Sequence, residues 1–244
     1  MQTDTTAHTD PAAPAVNAGP LPDLFAKPGG GRIARREEWP ERAECWRRLI
    51  VEMEYGGLPP APVSVRCETL CHSSIKRFPG TPAHWSFRIH CEGGEQPFAF
   101  CARLVFPQSD RPVPVILCGD ACWWYVTDEI LQDVLAAGFG LALFNRTELA
   151  EDLGYDRVPD KRQRSGGLYD VYPGRTFGAL AAWAWGYHRA VDWLRALPFV
   201  DGDRIAITGH SRGGKTTLLA GATDPRIAVV NDNASCAGGS AAYR

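Results

Sequence analysis

Eight consecutive residues, Gly209-His210-Ser211-Arg212-Gly213-Gly214-Lys215-Thr216, constrain this chain more than any other stretch. They satisfy two motifs at once. Read as G-x-S-x-G they form a nucleophile elbow, a strained turn that lifts a serine hydroxyl above a sheet; read as G-x-x-x-x-G-K-T they form a phosphate-binding loop. Both motifs require a strand before and a helix after. Arg204-Ile205-Ala206-Ile207-Thr208 is a short β-rich run and Thr216-Thr217-Leu218-Leu219-Ala220 reads as the start of a helix, so either motif commits the chain to an α/β fold.

The residues themselves favour the elbow. The positions two before and two after the nucleophile must be small, and Gly209 and Gly213 both are. Ser211 would then be the nucleophile, with the backbone N–H of Arg212 placed to donate to an oxyanion. A phosphate loop would put Lys215 on the phosphates and Thr216 on magnesium, and it needs a carboxylate at the end of a later strand. Only 28 residues follow Thr216, and Asp232 is the one acid near a strand end there. Such loops also tend to close the first strand of their domain, whereas much α/β sequence precedes this one.

The rest of the chain reads as the frame of that turn. Residues 35–55 form a charged amphipathic helix with an apolar stripe of Trp39, Trp46, Leu49, Ile50 and Met53, ended by Gly56-Gly57 and Pro59-Pro60. Residues 63–72, 84–92 and 98–107 read as strands at an antiparallel edge, the last two joined by Gly93-Gly94. Residues 113–118 are almost wholly apolar, as in a parallel strand buried on both faces. Asp128 is expected to cap a helix closed by Gly138, with a further parallel strand over 139–144. In the segment 178–197, Leu180, Ala184, Tyr187, Val191 and Leu194 recur at helical spacing, which makes Trp183, Trp185 and Trp193 core residues. The loop 119–125, with Trp123, Trp124 and Tyr125, follows the first buried strand and is a candidate site wall. The segment 145–174, with Glu148, Glu151, Asp152, Asp156 and Asp160 among several arginines, is a second candidate wall, with a solvated loop the favoured reading.

A content of 45% hydrophobic residues suffices for one substantial core, and a net charge of −2 gives no reason to expect nucleic acid or an anionic membrane surface. No apolar run approaches membrane-span length. Residues 1–22 are rich in Ala, Pro, Thr and Asp, without a basic start or an apolar stretch; they read as a disordered tail ahead of a domain over 23–244, and a cytoplasmic location is expected. The eight cysteines lie mostly in apolar runs, which favours free buried thiols. Two C-x-x-x-C pairs, Cys67 with Cys71 and Cys118 with Cys122, do not have recognised zinc spacing, and no metal or cofactor is expected.

Residues 205–244 resemble the glucuronoyl esterases of carbohydrate esterase family 15. That family's elbow reads G-C-S-R-N-G-K, followed by E-S-G-A-G-G; here stand G-H-S-R-G-G-K and Ala234-Ser235-Cys236-Ala237-Gly238-Gly239, ending in Tyr243-Arg244. The segment from Gly178 to Gly186 is similar to the family's G-A-L-x-A-W-A-W-G, and Tyr55 to Pro60 to its Y-G-x-L-P-P. The resemblance implies an α/β-hydrolase fold, a mostly parallel sheet with helices on both faces. It also implies a serine esterase acting on esters of 4-O-methylglucuronic acid, with Ser211 as nucleophile, the Arg212 guanidinium on the oxyanion and Lys215 on the uronate hydroxyls. Two positions depart from it. The family's catalytic glutamate falls at Ala234, and the cysteine before its serine, which forms a disulfide near the catalytic histidine, is His210 here.

An α/β-hydrolase triad runs serine, acid, histidine along the chain, yet the last histidine is His210, beside the nucleophile and badly aimed to serve it. His72, His84, His90 and His188 lie upstream and read as surface or satisfied core residues. The expectation is therefore a fragment of a longer hydrolase, inactive as given, with its final strands, acid and base beyond residue 244. The expected partner is a small-molecule or oligosaccharide ester, with no nucleic acid and no membrane. A deacetylase on the same fold and a P-loop nucleotide-binding protein remain as alternatives.

Overall fold

The computed structural model describes residues 22–123, 126–153 and 164–241. The tail expected over 1–22, except Pro22, lies outside them, as do Trp124, Tyr125, Asp156, Asp160, Tyr243 and Arg244. The chain divides into two compact units, Met1–Cys45 and Trp46–Arg244. In the described part of the first, Arg32 pairs with Asp23 at 2.8 Å. There too the Glu38 carboxylate accepts the Ala34 and Arg35 N–H groups.

Helix α1 (Trp39–Tyr55) ends in a Schellman arrangement, with Gly56 N–H donating to Glu52 O and Gly57 N–H to Val51 O. Gly56 has φ +71°, and a side chain there would overlap the Thr176 carbonyl. The expected apolar stripe does not reach the core: Leu49 and Ile50 are exposed and Met53 is 78% exposed, while Val51 and Tyr55 pack inward. Periodicity showed that an apolar face exists, not which side the fold covers.

One seven-stranded sheet carries the second unit: β1 (Ser64–Ser74), β2 (Ala83–Glu92), β3 (Phe98–Phe106), β4 (Val113–Cys118), β5 (Gly140–Phe144), β6 (Val200–His210) and β7 (Val229–Asn233). Its spatial order is β1-β2-β3-β5-β4-β6-β7. The pairs β1·β2, β2·β3 and β3·β5 are antiparallel, whereas β4·β5, β4·β6 and β6·β7 are parallel. The parallel half thus carries the ends that matter, with its strands closing at Cys118, Phe144, His210 and Asn233 on one side of the sheet. In β4 the burial runs through almost every residue, as a strand covered on both faces requires.

Helix α2 (Asp128–Ala136) is capped by Thr127, whose hydroxyl accepts the Ile130 N–H; Asp128, expected as the cap, is instead the first helical residue. A single turn, α3 (Leu168–Val171), leads into α4 (Ala179–Arg195). Thirteen of the 17 residues of α4 are buried, including all three of its tryptophans, so they serve the core and not a sugar platform. Trp183 Nε1 donates to Ala150 O and Trp185 Nε1 to Pro60 O, both at 2.8 Å, which satisfies their polar edges. Helix α5 (Arg212–Thr223) packs against α4, β6 and β7.

All eight cysteines are free thiols. Cys91 and Cys118 are buried, and burial pushes both thiols up to about 12. Cys67, Cys71, Cys101 and Cys236 are exposed, against the expectation of mostly buried thiols. The described residues hold no group of three or more His, Cys, Asp or Glu able to bind a metal, and no helix among them is long and apolar enough to cross a membrane.

Candidate active site

Ser211 sits between β6 and α5 with φ 54° and ψ −116°, a conformation an L-residue adopts at a cost of about 1–3 kcal/mol. Its surroundings hold it there. The Ser211 N–H donates to Asn233 O at 2.8 Å, tying the turn to the end of β7, and Ser211 O accepts the Lys215 N–H at 3.1 Å. A Cβ on Gly209 would overlap the Gly213 carbonyl, and one on Gly213 would overlap the Asp120 carboxylate. Both glycines of G-x-S-x-G are therefore demanded by close backbone approach.

Helix α5 starts at Arg212, four residues before the expected Thr216. That difference settles the double reading of the motif. A phosphate loop needs an open arc of backbone between its glycines, but Gly213 and Gly214 already lie in the first helical turn. Thr216 is fully buried and its hydroxyl donates to Arg212 O at 2.9 Å, leaving it unable to reach a magnesium ion. The P-loop alternative is set aside on these grounds. Lys215 is half-buried on α5, without an ion-pair partner among the described residues.

Behind the elbow runs a buried chain of charges. Asp120, in the loop after β4, accepts the His210 N–H on Oδ2 at 2.6 Å and pairs through Oδ1 with Arg146 Nη1. Arg146 follows β5, lies over the Trp183 ring at 4.4 Å, and donates through Nη2 to Asp152 Oδ2 at 2.7 Å. The other oxygen of Asp152 faces Arg212 Nη1 at 2.6 Å. Burial pushes the Asp120 carboxyl up, opposed by the Arg146 charge and the His210 N–H. Asp120 lies in the first and Arg146 and Asp152 in the second of the two loops that the sequence offers as candidate site walls, although none of the three carries a role there; in place of the solvated loop favoured for the second, the structure buries the Asp152 side chain. Their positions just beyond β4 and β5 were the available signal, since sites on open α/β sheets gather at carboxyl ends of strands.

Tyr187 closes the same end of the sheet. Its hydroxyl donates to Thr208 O at 2.8 Å and accepts the Gly119 N–H at 2.7 Å, and complete burial raises its phenol well above the usual range. The Gly119 N–H is thereby removed from the list of possible second oxyanion donors. Asp232 is also engaged: Ser235 Oγ donates to its Oδ2 at 2.6 Å and in turn accepts the Ser240 N–H at 2.7 Å, which pins the 235–240 turn. That bond anchors the turn after β7, while Asp232 Oδ1 is buried without a hydrogen-bond partner among the described residues. His188 is buried and contacts Ala220 O and Thr223 Oγ1; His84 contacts Ser73 and His90 contacts Glu68, while His72 stacks on Trp85. The structure thus brings none of these four to Ser211.

A serine in an elbow at the carboxyl end of a parallel strand, in a sheet whose fourth and fifth strands are exchanged in space, defines the α/β-hydrolase fold. The comparisons with known proteins narrow the class. The model of the family described as glucuronyl esterase, fungi, matches residues 89–244, and the chain belongs to that family. It is 31% identical to a 4-O-methyl-glucuronoyl methylesterase of Podospora anserina over 93% of this chain and 43% of the relative. It is 30% identical to one of Hypocrea jecorina over 92% and 44%. Among solved structures, a family 15 glucuronoyl esterase from Teredinibacter turnerae aligns with TM-score 0.75 at 26% identity, over 90% of this chain and 57% of that one. The glucuronoyl esterase catalytic domain from Hypocrea jecorina aligns with TM-score 0.67 at 26% identity, over 89% and 54%. The chain spans about half the length of the relatives it matches.

Proposed function

We propose that the whole protein is a carboxylic ester hydrolase that cleaves esters of glucuronic acid, its 4-O-methyl derivative included, through an acyl-enzyme. The observation that carries this reading is the strained Ser211, held at φ 54° between two glycines that tolerate no side chain. The substrate class rests on the relatives: several are 4-O-methyl-glucuronoyl methylesterases, and a serine-to-alanine mutant of the esterase from Sporotrichum thermophile was solved with methyl 4-O-methyl-β-D-glucopyranuronate.

Ser211 Oγ attacks the ester carbonyl while a histidine outside the described residues takes its proton. The oxyanion is met by the Arg212 N–H at the start of α5 and by the Arg212 guanidinium, charges aimed where charge develops. The alcohol departs with a proton, and water attacks the acyl-serine to release the uronate. Lys215, a cation on the first turn of a helix where the macrodipole disfavours it, is placed for a ligand and contacts the sugar hydroxyls.

The test is hydrolysis of methyl 4-O-methylglucuronate by the whole protein and its Ser211→Ala variant, with fluorophosphonate labelling alongside. Loss of methanol release and of labelling is the expected result. Undiminished hydrolysis by S211A would overturn the reading.

A further inference from the structure

The buried charges begin and end on the two residues that flank the nucleophile. From His210 the path runs through Asp120, Arg146 and Asp152 to Arg212. We infer that Asp152 is a positioning residue for the reaction, holding the Arg212 guanidinium over the ester carbonyl from a buried, pre-charged platform. This rests on the esterase reading above.

Asp120, Arg146 and Asp152 have side chains exposed by only 1%, 2% and 5%, and together they carry one net negative charge in a place with little water to screen it. Arg212, with a side chain 39% exposed, brings the balancing positive charge. An exposed arginine loses rotamer entropy on being fixed; the uncompensated buried charge supplies a reason for it to stay fixed. The geometry also divides the guanidinium. Nη1 is occupied by Asp152 Oδ1 at 2.6 Å and the Leu153 carbonyl at 3.2 Å, while Nε and Nη2 have no partner among the described residues. Three N–H donors are thus left for a substrate oxygen. Arg146 keeps Asp152 from turning away, since it grips the opposite oxygen at 2.7 Å.

A purely architectural role would also bury these charges, so the test must separate the two. The whole protein is assayed as wild type, Asp152→Asn, Asp152→Ala, Arg212→Ala and the D152A/R212A double variant, on methyl 4-O-methylglucuronate and on 4-nitrophenyl acetate, each checked by thermal melting. D152N keeps the volume and carries the test if D152A does not fold, paired then with D152N/R212A. The expected result is a fall in kcat of about 10–100-fold for D152N, the scale of ångström-level misplacement, with KM within about 2-fold. The same loss is expected on both esters, because every ester develops the same oxyanion. The double variant should be no slower than R212A by more than about 2-fold, the signature of one shared function. Multiplicative losses in the double variant, or a wild-type kcat for D152N while R212A is impaired, would overturn the positioning role and leave the esterase reading standing. A wild-type kcat for R212A would instead remove the parent assignment of Arg212.

Discussion

Asp120 accepts the backbone N–H of His210 at 2.6 Å across 90 residues of chain, and by that bond the loop after β4 sets the last peptide before the nucleophile. The same carboxylate lies against the Cα of Gly213, so one buried side chain supports the turn on both sides of Ser211. The strain at Ser211 persists because groups from β4, β7 and α5 all fix it.

Gly213→Ala should therefore cost more than about 2 kcal/mol, since the added methyl enters the Asp120 carboxylate and nothing nearby can yield. Gly138→Ala is the matched control: Gly138 has φ +82° with nothing within 4 Å, so only the backbone penalty of about 1 kcal/mol applies. Urea unfolding of both variants measures the difference. Equal costs would mean that Asp120 moves freely and does not brace the elbow.

Removing Arg146 should be more damaging than removing either acid it serves. Arg146→Met takes the shared cation from two buried carboxylates, leaving Asp120 only the His210 N–H and Asp152 only Arg212, and should destabilise by about 3–5 kcal/mol. Arg146→Lys retains the charge but not the fork that spans two acids, and should fall between that variant and wild type. A chemical-denaturation series with R146M within about 1 kcal/mol of wild type would show that the acids find other partners.

His188 gives the fold a pH dependence of definite sign. Burial holds its imidazole below the usual 6.5, partly offset by Asp224. Below about pH 6.5 the unfolded chain gains a proton there that the folded chain refuses, so stability present above that pH is lost as the pH falls. In thermal melts between pH 7.5 and 5 the wild type should lose Tm more steeply than His188→Gln, a variant with no group to titrate. An H188Q slope as steep as wild type would place the acid sensitivity elsewhere.

Lys215→Ala should separate sugar recognition from ester chemistry. A contact to uronate hydroxyls predicts a loss of about 10-fold or more in kcat/KM on methyl 4-O-methylglucuronate, with hydrolysis of 4-nitrophenyl acetate nearly unchanged. Matched losses on the two esters would remove the case for a sugar contact at Lys215.

Much of the frame was legible before any coordinates. Apolar runs gave β4 and β5, helical spacing gave α4 with its three buried tryptophans, and two glycines around Ser211 gave the elbow. The errors share a cause. Acids favour the cap role, which points to Asp128, yet Thr127 holds it. The run Thr216–Ala220 reads as the start of a helix, yet α5 begins at Arg212 and takes in both Gly213 and Gly214, where it packs against β6 and β7. Asp152 was placed in solvent because charged residues in a polar stretch have no local reason to be buried.

By itself the sequence determined which segments become strands and helices and where a serine could be strained, because these depend on neighbours a few residues apart. Only the tertiary structure decided the exchange of β4 and β5 in the sheet, the start of α5 at Arg212, and the burial of the Asp120, Arg146 and Asp152 side chains beneath the elbow. Those are long-range matters: a buried carboxylate is tolerable only where a guanidinium from a distant segment meets it, and no local pattern records that meeting.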